Sequence, residues 1–284
     1  MATRFKFVRA LLAFGVSLPA AAVDRERQLV VRGDRLFVPV TVNGRQVEAL
    51  LDSAAEATLV DDDLAKSLDL ALTGGETVKG SGGEDKVRFA EGVNIHAAET
   101  DLKGLTVAVL DLEDLSARLV GSKVQMILGR EFFDAGRFRL DIERGTIRRL
   151  ASTAKAKGTV LPLATHRGIE GFPVTIEGHA GIQAAFDLGN GSEMLIGRQA
   201  ADRLGIGVPG RVIERKKGGG IGGSIDRDIV MLSSMTIAGK IFTDVRAAID
   251  EQDSQSDVNI GVNILRHFVI VTDFPGHKLW LAPR

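Results

Sequence analysis

Two aspartates stand where a carboxylate is least expected. Asp52 closes the strand-like stretch Val47–Leu51 and opens a turn of small residues, Ser53-Ala54-Ala55, and Asp187 closes Ala184-Ala185-Phe186 and opens Leu188-Gly189-Asn190. A carboxylate at the end of a buried strand has two uses. Its oxygens cap the turn, or it serves as a general acid or base on a bound substrate. For a single such residue the turn cap is the simpler account. For two in matching surroundings chemistry is favoured, because two caps need not repeat the same flanking strand, helix and distal glycine.

The surroundings do match. Before Asp52 the run Phe37–Val42 alternates as a half-buried strand should, turns at Asn43-Gly44 and returns through Val47. Pro39-Val40-Thr41-Val42 answers to Pro173-Val174-Thr175-Ile176, and Gly44 answers to Gly178. After each Asp comes an apolar pair, Leu59-Val60 or Leu195-Ile196, then a short helical stretch ending in Leu68 or Leu204. Ile127-Leu128-Gly129 precedes Asp141 by the same twelve residues that separate Ile260-Gly261 from Asp273. Two copies of one β-rich unit explain these echoes most economically.

Two glycine clusters lie at corresponding places, Gly80-Ser81-Gly82-Gly83 and Gly218–Gly223. The second contains G-x-G-x-x-G, but a strand-like Ile229–Leu232 follows it rather than a helix, so it does not point to a dinucleotide. Glycine-rich hairpin tips that open and close over a bound chain fit better, with Gly80, Ser81, Gly82, Gly83, Gly220, Ile221 and Gly222 as the candidate flap residues; plain surface hairpins are the alternative. The five histidines form no H-E-x-x-H, and there is no G-x-S-x-G, so zinc and serine hydrolysis are unsupported. Asp61-Asp62-Asp63 reads as the capped start of a helix, and Arg211, Arg215, Lys216 and Lys217 as a solvated basic hairpin.

The chain has 284 residues, a formal net charge of −1, 44% hydrophobic and 26% charged residues, and no cysteine. That leaves room for two domains, gives no basic excess for nucleic acid, and excludes thiol catalysis and disulfide support. Residues 1–23 read as a secretory signal: Arg4, Lys6 and Arg9, then an apolar Ala10–Leu18, then Ala20-Ala21-Ala22. In a Gram-negative source the mature protein is then periplasmic, secreted across the inner membrane, with no membrane attachment after cleavage. The expected division is a first unit at 27–150, a linker at 151–160 and a second unit at 161–284. Short β-branched runs separated by Gly, Asn and Asp make both units mainly β, with short helices.

These motifs resemble the retropepsin-like aspartic proteases of the bacterial, tandem-lobe kind. The matching segments are Leu50-Leu51-Asp52-Ser53-Ala54-Ala55, Phe186-Asp187-Leu188-Gly189-Asn190, Ile127-Leu128-Gly129 and Ile260-Gly261. The resemblance covers nearly the whole mature chain. It implies an acid protease fold of two homologous β-barrel-like lobes, one catalytic Asp from each, and a flap from each. It also implies a cleft for an extended polypeptide, no metal or organic cofactor, and a monomer, because duplication supplies the symmetry that retroviral enzymes reach by dimerising. Two carboxylates about 3 Å apart cannot both ionise and share one proton. One then works as base on water and the other as acid on the scissile carbonyl.

Several residues depart from the family pattern or support the pair unevenly. Ala54 replaces a glycine, which is costly if the position needs a positive φ. Leu188 replaces the Thr or Ser that braces one lobe against the other, adding apolar bulk that is expected to desolvate Asp187 and move activity towards neutral pH. Ser53 supplies only one half of that brace; with Ala54, Leu188 and Gly189 it forms the expected support of the dyad. Asn259 stands where an apolar residue is expected. A protease-shaped protein that binds peptides or envelope components without turnover is the alternative these changes leave open.

Overall fold

The computed structural model describes residues 26–80, 82–251 and 256–284; the expected secretory signal and the flap residue Ser81 lie outside the described residues. Three antiparallel-rich sheets carry the chain. In the first lobe eight strands run in the order Val30–Arg32, Arg35–Val42, Arg45–Leu51, Met126–Leu128, Leu59–Asp61, Thr100–Leu110, Gly83–Ala97 and Leu72–Gly80. Arg35–Val42 also pairs with Gly83–Ala97, which curls the sheet towards a closed barrel. The second lobe repeats the order and the closure with Ala164–His166, Ile169–Ile176, His179–Phe186, Val258–Ile260, Met194–Gly197, Lys240–Asp250, Gly223–Ile237 and Val212–Gly220. The fold is therefore mainly β and internally duplicated, as the repeated motifs predict.

The hairpins before the two aspartates turn alike for a local reason. Asn43 (φ 45°) and Gly44 (φ 84°) are both left-handed, and so are Glu177 (φ 47°) and Gly178 (φ 84°). That is the two-residue turn whose twist suits adjoining strands. Glu177 is a poor residue for this conformation, and its side chain is tied down: Arg211 grips it with two bonds of 2.6 and 2.8 Å, and the Ser233 N–H donates at 2.8 Å. Arg211 belongs in this way to a hairpin stem, as a structural partner.

A third sheet of six strands joins the lobes, in the order Arg27–Gln28, Thr146–Leu150, Arg137–Asp141, Phe268–Asp273, Lys278–Pro283 and Thr159–Pro162. Its central seam pairs Leu140 with Ile270 and Phe138 with Thr272, one residue from each half of the chain. Thr159–Pro162, at the junction of the expected linker and second unit, is an edge strand here. Above the seam one apolar core spans both lobes. Phe132 stacks on Phe138 at 4.1 Å between ring centroids, and Phe274 contacts Phe133 at 5.3 Å and Phe186 at 6.2 Å. Because that core crosses the junction, the relative placement of the lobes is fixed by packing as well as by strand pairing.

A second, smaller cluster belongs to the first lobe: Phe37, Leu50, Val87, Ala108, Leu110, Leu112, Leu115, Val124 and Ile127. Fifteen residues join Leu110 to Met126 in this lobe, against seven between Asp250 and Val258 in the other. The longer connection carries helical turns at Glu113–Leu115 and Ser116–Val120, and Leu112 and Leu115 anchor it in the cluster. Asp61 caps the helix Asp62–Ser67 through the Asp63 N–H at 3.2 Å, which gives the acidic triplet a structural use. Among the described residues no helix is long and apolar enough to cross a membrane.

Candidate active site

Each candidate aspartate is delivered by the same small machine. Arg45–Leu51 lies parallel to Met126–Leu128, and the Asp52 N–H donates to the Leu128 carbonyl at 3.1 Å; His179–Phe186 lies parallel to Val258–Ile260, and the Asp187 N–H donates to Ile260 at 3.1 Å. The chain then turns back over the acid. Asp52 Oδ1 accepts the N–H groups of Ala54 (2.9 Å) and Ala55 (3.0 Å), and Asp187 Oδ1 accepts those of Gly189 (2.8 Å) and Asn190 (3.1 Å). Both aspartates are thus turn caps, and the two uses considered from the sequence are not exclusive.

The distal glycines close the turns from the other side. A Cβ on Gly129 would lie 2.7 Å from the Ala57 carbonyl, and one on Gly261 would collide with the Asn190 carbonyl. With glycine at those positions, Arg130 N–H donates to Ala55 O at 3.0 Å and Val262 N–H donates to Asn190 O at 2.8 Å.

The two turns meet across the lobe junction, where the Asp52 carboxyl lies against Gly189 of the other turn, close enough for the Asp187 charge to act on it. Gly189 makes this approach possible, since a Cβ there would collide with the Asp52 carboxyl. Ser53, 1% exposed, ties the lobes together at the same point: its hydroxyl donates to the Phe186 carbonyl at 2.7 Å and accepts the Leu188 N–H at 2.9 Å. Leu188 returns no such brace. Its side chain is fully buried and belongs to the main core. Ala54 is outside the left-handed region, so the methyl carries none of the strain considered from the sequence.

Burial and the neighbouring Asp187 charge push the Asp52 carboxyl up to about 7, against the N–H bonds from Ala54 and Ala55 that favour its charged form. Burial also raises Asp187, but more groups oppose it there: Asn259, then Gly189 and Asn190, then the charge of Arg35. The two acids are half-buried, which combines reach for a water molecule with a strong desolvation effect.

Two of these groups were not singled out as site residues from the sequence. Arg35, 6% exposed, donates to the carbonyls of Gly33 (2.9 Å) and Leu119 (2.8 Å) and acts electrostatically on both dyad carboxyls, Asp187 foremost. Its signal was a cation opening an otherwise apolar strand, Arg35-Leu36-Phe37-Val38. Asn259 donates from Nδ2 to Asp187 Oδ2 at 2.6 Å. Its signal was a polar residue in an apolar position.

The glycine clusters form the tips of long hairpins, Leu72–Gly80 with Gly83–Ala97 and Val212–Gly220 with Gly223–Ile237, and the tips touch: Gly82 N–H donates to Ile221 O at 2.8 Å. Gly80, Gly82 and Gly83 of one tip lie directly against Ile221, Gly222 and Gly223 of the other. The contact is uneven. Ile221 crosses over to pack on the small cluster of the first lobe, and Arg118 Nη2 donates to the Gly220 carbonyl at 2.9 Å. Of the basic hairpin, Lys216 is held by Glu193 at 2.8 Å.

The family described as aspartyl protease matches the chain twice, over residues 38–132 and 172–264. Each match runs from the first strand of the hairpin before an aspartate to the short helix after the distal glycine. Among solved structures, a retropepsin-like aspartic protease from Rickettsia conorii is similar at 17% identity and a TM-score of 0.36, over 45% of this chain and 96% of that one. No curated protein matches.

Proposed function

This chain belongs to the aspartyl protease family, and we propose that it is an endopeptidase that hydrolyses peptide bonds with a water held between Asp52 and Asp187. The observation that supports this most directly is the meeting of the two Asp turns across the lobe junction, with the Asp52 carboxyl against Gly189 and each carboxyl held by the N–H groups of its own turn. In the step envisaged, the ionised carboxylate takes a proton from water as the oxygen adds to the scissile carbonyl carbon, and the protonated partner gives its proton to the carbonyl oxygen. Collapse of the resulting diol reverses both transfers: the amine nitrogen receives the proton taken from water, the C–N bond breaks, and the second acid recovers its own.

The substrate on this reading is an extended polypeptide, laid between the glycine tips and the dyad and paired with strand edges, and the working form is a monomer exported from the cytoplasm. Because the reaction needs one carboxyl protonated, activity falls as pH rises through about 7, the value towards which burial and Asp187 push Asp52. Incubation of the protein with a mixed peptide library, with fragments read by mass spectrometry, tests the proposal. Cleavage that is lost in both Asp52→Asn and Asp187→Asn supports it. Peptide binding without fragments, or cleavage that survives both substitutions, overturns it. The half-brace at Ser53 and Leu188 is what favours binding without turnover as the second reading.

A further inference from the structure

The two lobes present their aspartates through the same register, yet one position breaks the match. Ile127 pairs with Leu50, two residues before Asp52, and Asn259 pairs with Ala185, two residues before Asp187. Both also pair across to the next strand, with Leu59 and Leu195 respectively. One lobe therefore carries an isobutyl-sized apolar side chain at this site, and the other carries an amide aimed at the dyad. The amide is held in one orientation: Asn259 Oδ1 accepts the Asn190 side-chain N–H at 2.9 Å, which leaves Nδ2 to donate to Asp187 Oδ2 at 2.6 Å.

We infer that Asn259 is a positioning residue that keeps the shared negative charge of the dyad on Asp187 and the proton on Asp52, giving the cleft one chemical direction. The inference rests on the endopeptidase reading for its consequence, but its physical basis is independent of turnover. Asp187 receives three donors, Gly189 N–H, Asn190 N–H and Asn259 Nδ2, while Asp52 receives two. An amide N–H stabilises a carboxylate and has no lone pair to accept a proton from the acid form, so each added donor favours the ionised state. Arg35 acts in the same direction, on Asp187 more than on Asp52, and Asp34 acts on the same guanidinium.

The consequence for the reaction is an assignment of roles. Asp187 takes the proton from water, Asp52 protonates the carbonyl oxygen, and the scissile carbonyl oxygen must lie on the Asp52 side. A peptide bound in the reverse direction would offer its carbonyl to the ionised carboxylate, which has no proton to give.

The test compares the wild-type chain with Asn259→Ile, which installs the residue of the first lobe, and with the near-isosteric Asn259→Asp, which keeps the volume should the first variant fold poorly. Carboxyl 13C chemical shifts are followed against pH, with Asp52→Asn and Asp187→Asn assigning the two signals. The wild type should show Asp187 titrating below Asp52. Asn259→Ile should raise the lower step by about one to two pH units, and Asn259→Asp by more, since it adds a like charge. On a cleaved peptide the acid limb of kcat/KM should move up by the same amount, with kcat reduced at pH 5 and KM changed less than about twofold. Unchanged carboxyl titrations in both variants, or a wild type in which Asp52 is the more acidic, would overturn the inference. Absence of cleavage in the wild type would sink the endopeptidase reading alone, because the carboxyl titration decides the role of Asn259 without it.

Discussion

Replacing Asp52 with Asn should make the protein more stable at pH 8 than the wild type, although it removes a group proposed to be essential. The reason is linkage. Asp52 is ordinarily protonated below 3.8 and in the folded chain is pushed up to about 7, by burial first and by Asp187 second. Between those values the native state holds a proton that the unfolded chain has released, so stability is fully present below about pH 4 and is lost as pH rises through about 7. A displacement of about three units at about 1.4 kcal/mol each sets a ceiling of about 4 kcal/mol. Solvent reaches the half-buried Asp52 and Asp187 shares the effect, so an observed difference of about 2 kcal/mol is expected. An asparagine keeps an acceptor for the Ala54 and Ala55 N–H groups and a donor towards Asp187, without the charge. Urea unfolding of both proteins at pH 4.5 and pH 8 gives the comparison, and the difference of differences removes every group the two share. Parallel losses of stability from pH 4.5 to pH 8, or an Asp52→Asn protein that is less stable at pH 8, would refute the desolvated, like-charged account of this dyad.

Three further substitutions probe the surroundings of the pair. Ser53→Ala leaves the Phe186 carbonyl and the Leu188 N–H without their shared partner in a buried place, and should cost about 1–3 kcal/mol in denaturant unfolding as well as lowering kcat. Leu188→Thr, which brings the position closer to the family pattern, should destabilise by about 1–3 kcal/mol, because it removes apolar volume from a site with no exposure and buries a hydroxyl; a gain in stability would mean that the missing brace matters more than the packing. Arg118→Ala frees the Gly220 carbonyl and should speed amide hydrogen exchange over Gly218–Gly223 while raising KM severalfold, with the exchange of the core strand Phe268–Asp273 unchanged as the control.

What could be read from the sequence was local or repeated. Asp52 and Asp187 were legible because a charge that ends an apolar strand is rare and the rarity occurs twice with the same neighbours. Asn43-Gly44 announced its hairpin because few residues tolerate that turn, and the distal glycines were visible as fixed points at equal spacing. The six-stranded sheet was not legible: the seam of Arg137–Asp141 against Phe268–Asp273 joins segments over a hundred residues apart, and alternation within a strand does not name its partner. Leu188 stands out in the sequence as a departure, but its place in the main core is not legible there, because the sequence does not give the direction of one residue in an irregular turn. The role of Arg35 is hidden for a similar reason. A cation at the start of a strand reads as a solvated end until the fold brings the Leu119 carbonyl over it.

The differences between the lobes follow from having both on one chain. In a symmetric dimer every substitution appears twice, so a donor added beside one catalytic carboxylate is added beside the other and the proton has no preferred side. A duplicated chain is free of that constraint. Here Asn259 faces Ile127 across the pseudo-twofold relation, Ser53 faces Leu188, and an Ile-tipped hairpin faces one tipped with small residues. The backbone register stays common because both aspartates need the same turn, while the side chains around the two carboxyls diverge. Asymmetry of that kind costs some bracing at Leu188, and the six-stranded sheet with its phenylalanine core supplies the attachment between lobes that a second hydroxyl would otherwise reinforce. The position of the lobes is thereby set away from the site, which leaves the residues around the dyad free to distinguish one carboxyl from the other.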